Sequence, residues 1–100
     1  MSKRFTDKQP YEEYFVTFDF TDALGDETIS SATVTATRAS TGEDATATVT
    51  DAAEQEHGDY TVDVWIQGGV SGVEYKITCR IVGSAGSKYE LDGLLLVKEG

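Results

Sequence analysis

Asp63-Val64-Trp65-Ile66-Gln67-Gly68-Gly69-Val70-Ser71-Gly72-Val73-Glu74-Tyr75-Lys76-Ile77-Thr78 is the stretch that decides the fold. Up to Ile66 its side chains alternate in character, and from Tyr75 they alternate again. Successive side chains of a strand point to opposite faces, so such alternation reads as two half-buried strands. Gly68, Gly69 and Gly72 punctuate the turn between them. A tyrosine that enters its strand just after a tight reversal has the layout of a tyrosine corner, the device that carries a chain from one sheet of an immunoglobulin-like sandwich to the other. Tyr75 is therefore expected to be buried, with its hydroxyl bonded to backbone in the 68–72 turn. This is a packing role and no part of any chemistry.

The same period extends on both sides. Tyr14, Val16, Phe18 and Phe20 alternate with Phe15, Thr17 and Asp19; Ala32, Val34 and Ala36 alternate with Thr33, Thr35 and Thr37. Ala45, Ala47 and Val49 alternate with threonines, Tyr60, Val62, Val64 and Ile66 with Thr61, Asp63 and Trp65, and Tyr75, Ile77, Cys79 and Ile81 with Lys76, Thr78, Arg80 and Val82. Threonine at the outward positions suits a pleated surface. Short strands separated by glycine- and aspartate-bearing turns indicate an all-β protein, an immunoglobulin-like antiparallel β-sandwich of about seven strands. Residues 1–10, polar and ending in the one proline, read as a flexible N-terminal arm, and 11–100 as a single sandwich domain. The expected core includes Tyr14, Val16, Phe18, Val34, Val49, Val62, Val64, Tyr75, Ile77, Ile81 and Leu95. Gly93 is expected to mark a bulge in the last strand, and Asp51 to cap a turn or two of helix over 51–56.

Composition narrows the function. One hundred residues, 39% hydrophobic, hold one core without staples. Eight basic against eighteen acidic residues leave a net charge of −10, and three of the basic ones (Lys3, Arg4, Lys8) fall in the first ten positions. A body this acidic repels a phosphate backbone, so nucleic acid is not an expected partner. The same charge opposes self-association, and the free chain is expected to be a monomer. No stretch approaches the ~20 apolar residues of a membrane span. The start lacks the apolar core of a secretory signal, which implies a chain that is cytoplasmic when synthesised. It reads as a separate chain and not as a calcium-rigidified repeat of a larger adhesin.

Few residues carry reactive chemistry. His57 is the sole histidine, in a glycine-bearing turn, where triads and histidine metal sites need more partners. Cys79, the sole cysteine, alternates with Ile77 and Ile81 and reads as core, not as a nucleophile. The acidic clusters (Asp19, Asp22, Asp26, Glu27; Glu54, Glu56, Asp59) do not follow the Asp-x-Asp-x-Asp-Gly order of a calcium loop. A glycosidase pair of carboxylates needs a deep sugar cleft, which a small sandwich rarely supplies. No enzyme activity, cofactor or tight metal site is expected. Trp65 is out of phase with Val64 and Ile66 and so points outward, as do Phe15 and Val82; if their strands are neighbours, the three form an apolar patch, the usual mark of a protein partner.

The order Tyr14-Phe15-Val16-Thr17-Phe18-Asp19-Phe20, Leu24-Gly25-Asp26-Glu27-Thr28-Ile29-Ser30-Ser31, then Val64 to Tyr75 and a closing strand, resembles a family of small structural proteins of tailed phages and prophages, described as fiber–tail adaptor proteins. The resemblance runs over roughly residues 11–98. Phe20 stands where the family pattern favours tryptophan. The resemblance implies a non-enzymatic virion structural or assembly protein without a cofactor, and partners among the other structural proteins of tail, neck or fiber. The competing function is a carbohydrate- or cell-surface-binding sandwich, which requires two or more coplanar aromatic rings exposed on one face.

Overall fold

Alternation becomes strand almost everywhere in the computed structural model of the chain, which describes residues 2–99. Seven strands form: β1 (Ser2–Arg4), β2 (Tyr14–Asp19), β3 (Ile29–Arg38), β4 (Glu56–His57), β5 (Thr61–Ile66), β6 (Val73–Gly83) and β7 (Lys88–Val97). Two short helical turns, α1 (Thr21–Leu24) and α2 (Thr46–Val49), and a 3-10 turn at Ala52–Glu54 lie between them. The strands make a four-stranded sheet in the order β1-β7-β6-β3, here the long sheet, and a three-stranded sheet β2-β5-β4, the short sheet. Neighbours run antiparallel except β1, which lies parallel to β7. The protein is all-β, with the two sheets in a sandwich-like arrangement.

The core lies between the sheets. Phe18, Val62, Val64 and Ile66 enter from the short sheet and Tyr75, Ile77, Cys79, Ile81, Leu95 and Val97 from the long one, all buried. Tyr14, Val16 and Val34, expected inside, are half-buried on the same phase. Burial pushes the Cys79 thiol up to about 12, which keeps it a neutral, small apolar group. Tyr75 sits at the start of β6 with its ring fully buried, and its hydroxyl accepts a hydrogen bond from the Val70 backbone N–H at 3.0 Å. The turn before it passes so close that a Cβ on Gly69 would lie 3.3 Å from that ring and 2.7 Å from Val97 Cγ2. Gly69 also has φ of +95°, a conformation that glycine adopts at little cost.

Two local expectations need correction. Residues 45–50 do not form a strand. Asp44 Oδ1 accepts from the Thr46 N–H at 3.2 Å and from Thr46 Oγ1 at 2.7 Å, a local bond pattern that starts a turn, and α2 follows. Those bonds, the side-chain one foremost, hold the Asp44 carboxyl below its ordinary pKa. In a helical turn residues four apart share a face, so Ala45 and Val49 are buried while Ala47 is exposed. The Asp51 cap does form, its carboxylate accepting from the Ala53 N–H at 3.0 Å.

Gly93 marks no bulge, for β6 and β7 stay in continuous register from Val73↔Val97 to Val82↔Lys88. The irregularity falls instead between Ile29 and Ser31 of β3. Gly93 faces inward, and a Cβ there would collide with the ring of Phe5. The missing side chain makes room for that ring.

Phe5 and Lys8, within the expected arm, are tied to β7 and the core. Phe5 N–H donates to Leu94 O at 2.9 Å, Lys8 N–H to Leu96 O at 3.0 Å, and Lys98 N–H to Lys8 O at 2.7 Å. Phe5 is buried and meets Phe18 edge-on, with ring centroids 5.6 Å apart, so one side chain from the N-terminal segment bridges the two sheets. Lys8 is wholly buried, its Nζ donating to the carbonyls of Gln9 (2.8 Å), Pro10 (3.2 Å) and Gly68 (2.6 Å). Burial lowers its pKa, against the pull of Glu12 and Glu13. A single phenylalanine among polar residues has no period, which is why the segment looked unattached. Met1 and Gly100, at the outer ends of the expected arm and domain, lie outside the described residues.

Candidate functional site

With Val16, Phe18, Val62, Val64 and Ile66 committed to the core, the odd-numbered positions of β2 and β5 face outward. Pairing of these strands sets Phe15 opposite Trp65 and Thr17 opposite Asp63. Phe15 is 45% exposed and Trp65 half-buried, and their rings pack edge to face at 5.0 Å with 75° between planes. Thr17 Oγ1 donates to Asp63 Oδ1 at 2.7 Å. On the other side of Asp63 stands Glu56 of β4, directly across the ladder. At the aromatic end the face opens into a concavity of about 800 Å³ lined by Pro10, Tyr11, Glu12, Glu13, Tyr14, Trp65 and Gly68. Tyr11, at its mouth, is 94% exposed.

Two of the three residues expected to form an apolar patch therefore meet. Val82 does not join them, because β6 belongs to the long sheet. It lies there between Ser31 and Lys88, half-buried, on the opposite side of the molecule. Tyr11 had no place in the expected patch, since it falls between Pro10 and the first strand, where no alternation assigns it a face. An aromatic flanked by Pro10 and Glu12 was the available signal.

The outer face of the long sheet has a different character. Arg4 pairs with Glu74 at 2.8 Å, Lys76 with Asp92 at 3.6 Å and Arg80 with Glu90 at 2.5 Å. Glu90 raises the Arg80 pKa through that bond. Leu94 and Leu96, also on this face, are half-buried; Arg4 is in register with Leu94 and Glu74 with Leu96, so the ion pair spans β7 above them.

The reactive residue types stand apart from both faces. His57 is exposed at the end of β4, its Nδ1 3.0 Å from Gly58 O. Cys79 is buried. Among the described residues no three histidine, cysteine, aspartate or glutamate side chains gather in a way that holds a metal ion, and no helix is long and apolar enough to cross a membrane. The arrangement offers an aromatic pair, an exposed tyrosine and a row of carboxylates on one sheet face, the makings of a binding surface.

Comparison with known proteins agrees with a structural reading. None of the curated proteins compared matches the chain. The family described as podophage GP4 fiber-tail adaptor protein gp77 matches residues 8–95, which takes in β2 to β6 and most of β7. A match over that much of the sequence, spanning both sheets and the turn before Tyr75, shows that the chain belongs to the podophage fiber-tail adaptor family.

Proposed function

We propose that the protein is a non-enzymatic docking module of the virion, joining other structural proteins of tail, neck or fiber through the outer face of the short sheet. The observation that carries this reading is the Phe15–Trp65 pair, two large aromatics standing edge to face on an outward strand face, with Phe15 45% exposed. Tryptophan and other large aromatics are enriched where truncation most weakens an interface. Family membership supplies the class of partner. The chain is monomeric before assembly, its net charge of −10 opposing self-association. Tyr75 acts as the corner that fastens the crossing from β5 to β6, holding the docking sheet on the long sheet. The sugar-binding alternative is the weaker one, because rings 75° apart do not form a common stacking plane.

Trp65→Thr tests the proposal, threonine being at home on an exposed strand. Urea unfolding should show stability within about 1 kcal/mol of the parent, while binding to the tail and fiber proteins of the same particle weakens by about 2 kcal/mol or more, roughly thirtyfold. A loss of about 3–5 kcal/mol in stability with binding intact would make Trp65 a core residue and overturn the assignment.

A further inference from the structure

Apart from Arg38, no lysine or arginine occurs between Gln9 and Tyr75, while that span holds fourteen acidic residues. The three strands of the short sheet all lie in this span and contain no lysine or arginine, His57 at the end of β4 being their one imidazole. The cations that can be placed on strands cluster on the other side: Arg4, Lys76, Arg80 and Lys88 belong to the long sheet, Arg38 ends β3, and Lys8 is buried. Each ion pair among the described residues involves the long sheet, and none uses Glu12, Glu13, Glu56 or Asp63. Asp63 and Glu56 are direct cross-strand neighbours, and like charges so placed disfavour each other. The aromatic pair lies one row away on the same face.

We infer that the partner segment received by the short sheet is basic: an extended stretch of another virion protein that bears arginine or lysine at alternate positions. This inference rests on the docking reading above and gives it a chemistry. A cation over the Phe15 and Trp65 rings is attracted by their π faces, and Glu12 and Glu13 line the adjoining hollow. Residues two apart on a strand are about 7 Å apart. An extended segment along β5 thus sets one cation at the Trp65 row and the next at Asp63 and Glu56, where it offsets two like charges set opposite each other in register. Arginine suits both positions, since its planar fork matches carboxylates and stacks on rings.

Trp65 is the only tryptophan, so its emission reports directly on this face. The full-length protein is titrated with a synthetic peptide alternating arginine and threonine, and with the same peptide carrying neutral citrulline in place of arginine. The expected result is a saturable change of Trp65 emission with the arginine peptide and at least tenfold weaker binding of the citrulline peptide. The double variant Asp63→Asn, Glu56→Gln should bind the arginine peptide at least tenfold more weakly, whereas Glu90→Gln on the long sheet should bind it as the parent does. No saturable binding, equal binding of both peptides, or equal loss in the Glu90→Gln control would overturn the inference. The two readings fail separately against the particle's own tail and fiber proteins. Binding lost in Trp65→Thr but kept in Asp63→Asn, Glu56→Gln preserves the docking face and removes the basic partner, while binding kept in Trp65→Thr removes the face itself.

Discussion

On the outer face of the long sheet, charges meet their opposites: Arg4 reaches across β7 to Glu74, Lys76 faces Asp92, and Arg80 faces Glu90. On the outer face of the short sheet Asp63 faces Glu56, with an exposed phenylalanine against a tryptophan in the next row. Both faces come from the same alternation, with the other phase of each strand given to one shared core. The first face pairs most of its charges within the chain, although Asp92 Oδ1 is buried there without a hydrogen-bond partner. The second keeps like charges together and leaves aromatic surface in water, so it gains from being covered. On the docking proposal, the difference separates a face that supports the fold from one that receives a partner.

The comparison presumes that the two faces are the backs of one sandwich, and the largest effect comes from loosening what holds them together. Phe5 meets Phe18 across the sheets and fills the space over Gly93. Phe5→Ala should cost about 3–5 kcal/mol in urea unfolding, the usual range for truncating a buried aromatic. An unchanged midpoint would show that the Phe5 ring is not part of the core and leave the sandwich to stand without it.

A smaller effect is expected where the chain passes from the short sheet to the long one. Tyr75→Phe leaves the ring in place and removes the acceptor of the Val70 N–H, which should cost about 1–3 kcal/mol of stability. Binding through Trp65 should survive in the folded fraction. If stability stays the same, the crossing is held by ring packing alone and the hydroxyl is incidental.

The least effect is expected on the long sheet itself. Replacing Arg80 and Glu90 together by threonine removes the shortest ion pair on that face. Exposed pairs of this kind contribute little once both long side chains have been ordered. The urea midpoint and binding to tail and fiber proteins should both stay within error of the parent. A clear loss of binding would show that this face also docks and would erase the distinction between the two.

Much of the fold was legible because a strand writes its orientation into every second residue. Val62, Val64 and Ile66, and Ile77, Cys79 and Ile81, were placed inward by period two and are buried. Ala45 to Val49 satisfied the same period and yet form a helical turn. Positions 45 and 49 are compatible with a period of two or of about four, and the Asp44–Thr46 bonds that decide between them are not an apolar pattern. Phe15 and Trp65 could be placed outward from the sequence, but their meeting depends on β2 pairing with β5. Val82 satisfied the same outward test and lies on the opposite sheet. Phase along a strand is a local property, whereas the choice of neighbouring strand is a global one.

The sequence by itself determined the all-β class, the inward and outward residues of the regular strands, the burial of Cys79 and the acidic balance of charge. These depend on side-chain character at fixed spacing or on a simple sum of charges. Only the tertiary structure decided that Phe5 and Lys8 are core residues, that Gly93 is small to admit a ring, and that Asp63, Glu56 and the Phe15–Trp65 pair share one sheet face. Phe5 is joined to Gly93 from the far end of the chain, and Glu56 and Asp63, though near in sequence, are set opposite each other only by strand pairing. Their energies come from contacts that register and sheet order create, and no local window of sequence contains both partners together with the geometry that brings them into contact.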